Sequence, residues 1–123
     1  MEKKLSTAFT DLLHCDYPII AGPMFLVSDE KLVSSVSNAG GVGAMPSLNW
    51  RTTEDFRAAV RKVKNLTQKP FGVNLIVNKS NVRAGADLKV CVEEGVPLVI
   101  TSLGNPKETI KQMHASGGKV FCD

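Results

Sequence analysis

The sequence predicts an α/β fold in which helices cover a parallel sheet. Three observations carry the prediction. Short, nearly continuous apolar runs alternate with amphipathic stretches. The order is strand then helix, four times over, with a strand at the end. Gly, Pro or Asn stands at most of the boundaries. Continuous apolar strands belong to parallel sheets buried on both faces, and parallel neighbours need a crossover between them.

Each element has its own warrant. Residues 17–22 form a short apolar run that Pro18 keeps extended. Ser28 suits a helix N-cap, with Asp29 and Glu30 at the positive end of the dipole. Leu32, Val33 and Val36 share one face, and Asn38-Ala39-Gly40 ends that helix. Residues 42–46 make a second strand. Thr52 with Asp55 resembles a capping box. Behind it Phe56, Ala59, Val60 and Val63 fall on one helical face, leaving Arg57, Arg61, Lys62 and Lys64 on a solvated one. Pro70 introduces a third strand over 71–77. A helix over 81–94 turns Leu88, Cys91 and Val92 inward and stops at Gly95. Residues 97–102 are a fourth strand. Asn105, Pro106 and Glu108 mark the start of a helix that buries Ile110 and Met113 and ends at Gly117-Gly118. Residues 119–123 begin a fifth strand.

Two architectures fit this order. A flavodoxin-like, doubly wound sheet of five strands suits the length. The alternative is the first part of a (β/α)8 TIM barrel, whose full form takes about 250 residues. A doubly wound sheet usually closes with a helix after its last strand, and none follows Asp123. The pattern therefore favours the first four βα units of a barrel plus the start of strand five. Residues 1–123 are expected to be the N-terminal part of one barrel domain.

Composition excludes several classes. Apolar residues make up 43% of the chain, as in a globular domain and not a disordered one. A net charge of +3, spread along the chain, gives no footprint for nucleic acid. The apolar stretch 17–27 holds two prolines and a glycine and is too short to span a membrane, and Asp11 interrupts the core a signal peptide would need. Cys15, Cys91 and Cys122 are odd in number and form no C-x-x-C pair. This suits a cytoplasmic protein without a disulfide framework or a zinc site. The glycines over 38–43 follow a helix and precede a strand, whereas a phosphate cradle needs the reverse order; they are expected to cap and turn the chain.

Four motifs in sequence carry a resemblance. Tyr17-Pro18-Ile19-Ile20-Ala21-Gly22-Pro23-Met24 resembles the first barrel strand of the nitronate monooxygenase family, also called 2-nitropropane dioxygenases. Val36-Ser37-Asn38-Ala39-Gly40-Gly41-Val42-Gly43 is similar to that family's helix-to-strand junction. Pro70-Phe71-Gly72-Val73-Asn74-Leu75 resembles its third strand, and Gly104-Asn105-Pro106 the segment after its fourth. The FMN-type enoyl-acyl-carrier-protein reductases share these motifs. The resemblance implies a TIM barrel with FMN at the C-terminal mouth, a small-molecule substrate and no nucleic-acid or membrane partner.

Carried onto this sequence, the resemblance puts Gly22, Pro23, Met24 and Phe25 against the flavin ring. It gives Asn74 a hydrogen bond to the flavin, through an amide that both donates and accepts. Ser102, Gly104 and Asp123, at strand ends, would line the mouth. Each has a plainer reading: Pro23-Met24 as a strand-to-loop turn, Asn74 as an amide satisfied by a neighbouring strand. His14 and His114 lie away from strand C-termini and are expected to be non-catalytic, while Cys122 could approach the mouth. The family's catalytic histidine lies beyond residue 123, so no catalytic residue is assigned here. At Asp123 the resemblance breaks, because nitronate monooxygenases often carry a basic residue there and an acid would repel an anionic nitronate. The expected activity is that of an FMN-dependent oxidoreductase oxidising nitronates or nitroalkanes with oxygen. The alternatives are an FMN-dependent enoyl reductase and a non-catalytic flavin-binding or interaction module. Residues 1–123 alone are expected to be inactive, and to self-associate or require the missing half.

Overall fold

The computed structural model describes residues 5–123. Eleven elements run in chain order: α1 (Ala8–Leu13), β1 (Ile20–Ala21), α2 (Glu30–Asn38), β2 (Val42–Pro46), a 3-10 turn (Ser47–Asn49), α3 (Thr53–Leu66), β3 (Phe71–Ile76), α4 (Ala84–Glu93), β4 (Leu98–Ser102), α5 (Lys107–Ala115) and β5 (Lys119–Cys122). All four strand pairings are parallel, and the sheet order is β1-β2-β3-β4-β5. That order excludes the doubly wound alternative, which must place a strand out of sequence at its switch point. Successive helices α2 to α5 also pack side by side, as one layer over one face of the sheet. The architecture is a half-barrel.

Strand alternation divides the side chains between two environments. On the helix side, Met45, Phe71, Val73, Leu75 and Val99 join Phe56, Val60 and Val63 of α3, Cys91 of α4 and Met113 of α5 in one core. Burying each large member contributes about 1.5–3 kcal/mol. The other face, the barrel interior, begins with Val42, Leu98, Ile100 and Phe121, packed with Phe9 and Leu13 of α1. The Phe9 and Phe121 ring centroids lie 6.0 Å apart. The α1 helix thus closes the N-terminal end of the half-barrel. It escapes the periodic pattern because six residues make fewer than two turns, and its start depends on a Thr7–Thr10 capping box.

Several boundaries differ from expectation. Asp29, not Ser28, caps α2: the Asp29 carboxylate accepts from Leu32 N–H at 2.9 Å. α4 starts at Ala84, because Asn81 is used in a turn and donates to Ile76 O at 2.8 Å. Pro106 occupies the α5 cap and Lys107 opens the helix, while Asn105 Oδ1 accepts from Lys107 N–H in a local turn. The cationic face of α3 is not simply solvated. Arg57 bonds Glu93 at 2.7 Å and Glu94 at 3.0 Å, and Arg61 lies 2.9 Å from Glu94, tying α3 to the end of α4.

The glycines over 38–43 serve the backbone, as expected. Gly40 has φ 106° and its carbonyl accepts from Asp16 and Tyr17 N–H. Gly43 lies directly under α2, where a Cβ would sit 2.2 Å from Val33 O. Gly43→Ala should therefore lower stability by about 1–3 kcal/mol or more, since backbone on both sides must shift. A fall in the urea midpoint with an unchanged slope would show it.

The ion network makes a second prediction. The Arg61 hydrogen bond holds the Glu94 carboxyl below its ordinary 4.5; partial burial opposes this and Arg57 adds to it. A depressed carboxylate contributes stability that is present above the unfolded value and lost as pH falls through the folded one. Glu94→Gln should flatten that part of the stability profile below about pH 4.5. Denaturation of both proteins across pH 3–7 would read the difference as a smaller acid-side slope in the variant.

Candidate functional site

The C-terminal ends of β1, β2 and β3 surround a cavity of about 210 Å³. Pro23, Phe25, Pro46, Leu48, Asn74 and Ile76 line it. Its lining is apolar except for one amide. The register explains the grouping, because Pro46 pairs with Asn74, Asn74 with Ile100 and Ile76 with Ser102. Interior positions of neighbouring strands therefore stack at one level.

Asn74 begins a short chain of hydrogen bonds across the interior. Its Nδ2 donates to Ile100 O at 2.9 Å and to Ser102 Oγ at 2.9 Å. Ser102 Oγ in turn donates to Asp123 Oδ2 at 3.4 Å. Because a carbonyl can only accept, Ile100 O sets which side of the Asn74 amide carries the hydrogens. Its Oδ1 accepts no hydrogen bond among the described residues. The amide is thus half satisfied by the neighbouring strand, the plainer reading, and half free for a donor on a ligand. Asp123 places a carboxylate at the far end of the chain.

The loop between β1 and α2 is held from within. Ser28, buried, does not cap α2; its Oγ instead accepts from Met24 N–H at 2.9 Å. Asn49 Nδ2 donates to Ser28 O at 2.8 Å, and Asn49 Oδ1 accepts from Leu26 N–H at 2.6 Å. Leu26 has φ 63°, a left-handed conformation costing a leucine about 1–2 kcal/mol. The Asn49 bond offsets part of that cost and keeps Phe25 at the cavity wall.

Of the predicted site residues, the cavity gathers Pro23, Phe25 and Asn74, and hydrogen bonds add Ser102 and Asp123. Gly22 and Met24 do not line it, and Met24 is half exposed. Gly104 sits instead in a separate cleft with Lys79 and Leu103, between the loops that follow β3 and β4. Cys122, two residues on from Val120, shares its face, which packs on the helix-side core, so it does not face the interior. His14 caps α1 at the opposite end, and His114 lies in the last turn of α5. Pro46, Leu48 and Ile76 were not foreseen as wall residues. Only the alternation along β2 and β3 could have pointed to Pro46 and Ile76.

The fold is shared with known proteins. The family model for nitronate monooxygenase matches residues 6–91. The chain belongs to the nitronate monooxygenase family. It is 34% identical over 112 residues to the nitronate monooxygenase of Pseudomonas aeruginosa, covering 91% of this chain and 32% of that protein. It is also 32% identical to the (3aS,4S,5R,7aS)-5-hydroxy-7a-methyl-1-oxo-octahydro-1H-indene-4-carboxyl-CoA dehydrogenase of Mycobacterium tuberculosis, covering 96% of this chain and 32% of that one. Among solved structures, FabK from Thermotoga maritima superposes with a TM-score of 0.88 at 36% identity, over 96% of this chain and 37% of FabK. A nitroalkane oxidase from Streptomyces ansochromogenes, with a TM-score of 0.79 at 24% identity, shares the fold. The chain spans about a third of the length of these curated relatives.

Proposed function

We propose that this chain is the N-terminal part of a cytoplasmic, FMN-dependent oxidoreductase of the nitronate monooxygenase type, acting on a small carbon acid at the barrel mouth. The observation that carries the proposal is the Asn74–Ser102–Asp123 chain beside an apolar cavity at the strand ends. The donor set suits a flavin ring. Pro23, Phe25, Pro46, Leu48 and Ile76 offer apolar contact to flat aromatic surface, and Asn74 Oδ1 offers an acceptor to a ring N–H. When bound, FMN would supply the electron-accepting chemistry. The chain's own residues do the rest: the apolar wall excludes water, Asn74 orients, and Ser102 holds the amide of Asn74 in register. Neither histidine of the chain stands at this mouth, and the family resemblance puts the proton-accepting histidine beyond residue 123.

A second reading concerns the substrate. Asp123 sets a negative charge near the cavity, which disfavours an anionic nitronate, and the relative from M. tuberculosis is named for a carboxyl-CoA, an acyl thioester. These two observations favour a thioester. Oxygen uptake with an alkyl nitronate supports the first reading, and NADH or NADPH oxidation by an enoyl thioester the second.

In the full-length protein, Asn74→Ala should weaken FMN binding by about 1–3 kcal/mol, the cost of stranding a buried partner. Titration of apoprotein with FMN reads this directly. An unchanged affinity, with Asn78→Ala as a control outside the cavity, removes Asn74 from the site.

Residues 1–123 expressed alone should behave differently from the whole. Among the described residues β1 and β5 each have one unpaired edge, and open edges recruit other strands. The isolated polypeptide should self-associate and carry no stoichiometric flavin. Light scattering coupled to size exclusion, with an absorbance scan, would show a colourless oligomer; a yellow monomer of 13.2 kDa would refute it.

A further inference from the structure

We propose that Arg83 and Asp87, which touch nothing in the cavity, are positioning residues that set its apolar wall through Asn49. Asp87 is wholly buried on α4. Its Oδ1 accepts from Thr53 Oγ1 at 2.7 Å, and its Oδ2 lies 3.0 Å from Arg83 Nη2. The Arg83 guanidinium then reaches the turn after β2 at both ends. Nη1 donates to Trp50 O at 2.5 Å, and Nη2 to Ser47 O at 3.4 Å. Between those carbonyls sit Leu48, a wall residue, and Asn49, which bonds Leu26 N–H and Ser28 O. Leu26 adjoins Phe25, a second wall residue. Arg83 N–H also donates to Asn81 Oδ1, and Asn81 Nδ2 to the carbonyl of Ile76, a third. The ion pair is thus connected, by bonds in series, to two sides of the cavity, and the backbone of Arg83 to a third.

A bare stability role explains this cluster poorly. Ser47 Oγ and Arg83 Nε are buried with no hydrogen-bond partner among the described residues, and Asp87 Oδ2 has its ion-pair contact with Arg83 Nη2 but no well-aligned hydrogen bond. A buried pair with unmet donors and acceptors recovers its desolvation cost incompletely, and apolar side chains of similar volume would serve stability as well. What apolar side chains cannot supply is direction. A guanidinium fork donates to two carbonyls at set angles and so holds the turn in one place. The outer network around Glu94 gives the contrast: it joins α3 to α4 but has no bond to any mouth loop.

The test is hydrogen exchange by mass spectrometry on the full-length protein without flavin, comparing Arg83→Lys, Asn49→Ala, the double variant and Glu94→Gln. In Arg83→Lys, exchange over residues 47–51 and 24–28 should accelerate at least tenfold, while 71–76 stays protected. Asn49→Ala should accelerate 24–28 equally, and the double variant should add little there, because the two bonds act in series. Glu94→Gln should leave both loops unchanged. Acceleration at 47–51 with normal exchange at 24–28 would end the relay at the turn. Uniform acceleration everywhere would reduce Arg83 to general stability. If Arg83→Lys does not fold, Thr53→Val, which removes one bond to Asp87, is read the same way with a smaller acceleration expected. The proposal rests on the flavin reading only for what the wall contacts. Because the measurement needs no FMN, failure of FMN binding and failure of the relay are separate results.

Discussion

Parallel pairing in strict chain order is the constraint on which the remaining features depend. With β1 to β5 as consecutive neighbours, every crossover helix returns to the same face of the sheet, and the other face receives only α1, at its N-terminal end. Alternation then assigns residues without further choice. Met45 goes to the helices and Pro46 to the interior; Val73 goes out and Asn74 in. The interior is itself graded. Its lower level is apolar and packed against α1, while its upper level carries Asn74, Ser102 and Asp123. A polar group on an apolar strand is tolerable at the upper level because neighbouring strand ends supply partners at matching height.

The loops add precision that the strands lack. β1 contributes only two paired residues, so the sheet alone holds the segment after it weakly. Side-chain amides and hydroxyls take over: Ser28 and Asn49 lock the first loop onto the second, and Arg83 locks the second onto α4. The left-handed Leu26 is kept by these bonds, not by its own preference. The site is therefore rigid for a reason distinct from the core's. Its rigidity comes from directional bonds between loops, whereas the core's comes from close packing.

Much of this was legible in the residues. The strands over 42–46 and 71–76 and the α3 face were readable because apolar spacing reports directly on burial. Asn74 stood out as a polar residue on an apolar strand. Other features were not legible, for definite reasons. Strand order is a long-range property that local pattern cannot distinguish, so the doubly wound sheet survived until the pairings were known. Ser28 beside Asp29 offers two equivalent caps, and only the fold shows that Ser28 is turned toward Met24. Asp87 falls on the buried side of α4, but a lone aspartate in a helix has the appearance of a solvated charge until Thr53 and Arg83 are seen around it. The cationic row on α3 misled in the same way, since its acidic partners lie more than thirty residues away.

The stopper made by α1 bears on the order of folding. Its capping box is local and can form early, but its seat cannot. Phe9 rests against Phe121, and Leu13 packs with Leu98, so the seat is complete only when β4 and β5 are in place. Contacts separated by roughly a hundred residues carry a large closure entropy and form late. The first helix of the described residues thus docks only after β4 and β5, which are made after it. Until it does, the lower interior level is open to water, and the chain's apolar floor is exposed throughout synthesis of the four strands that follow β1.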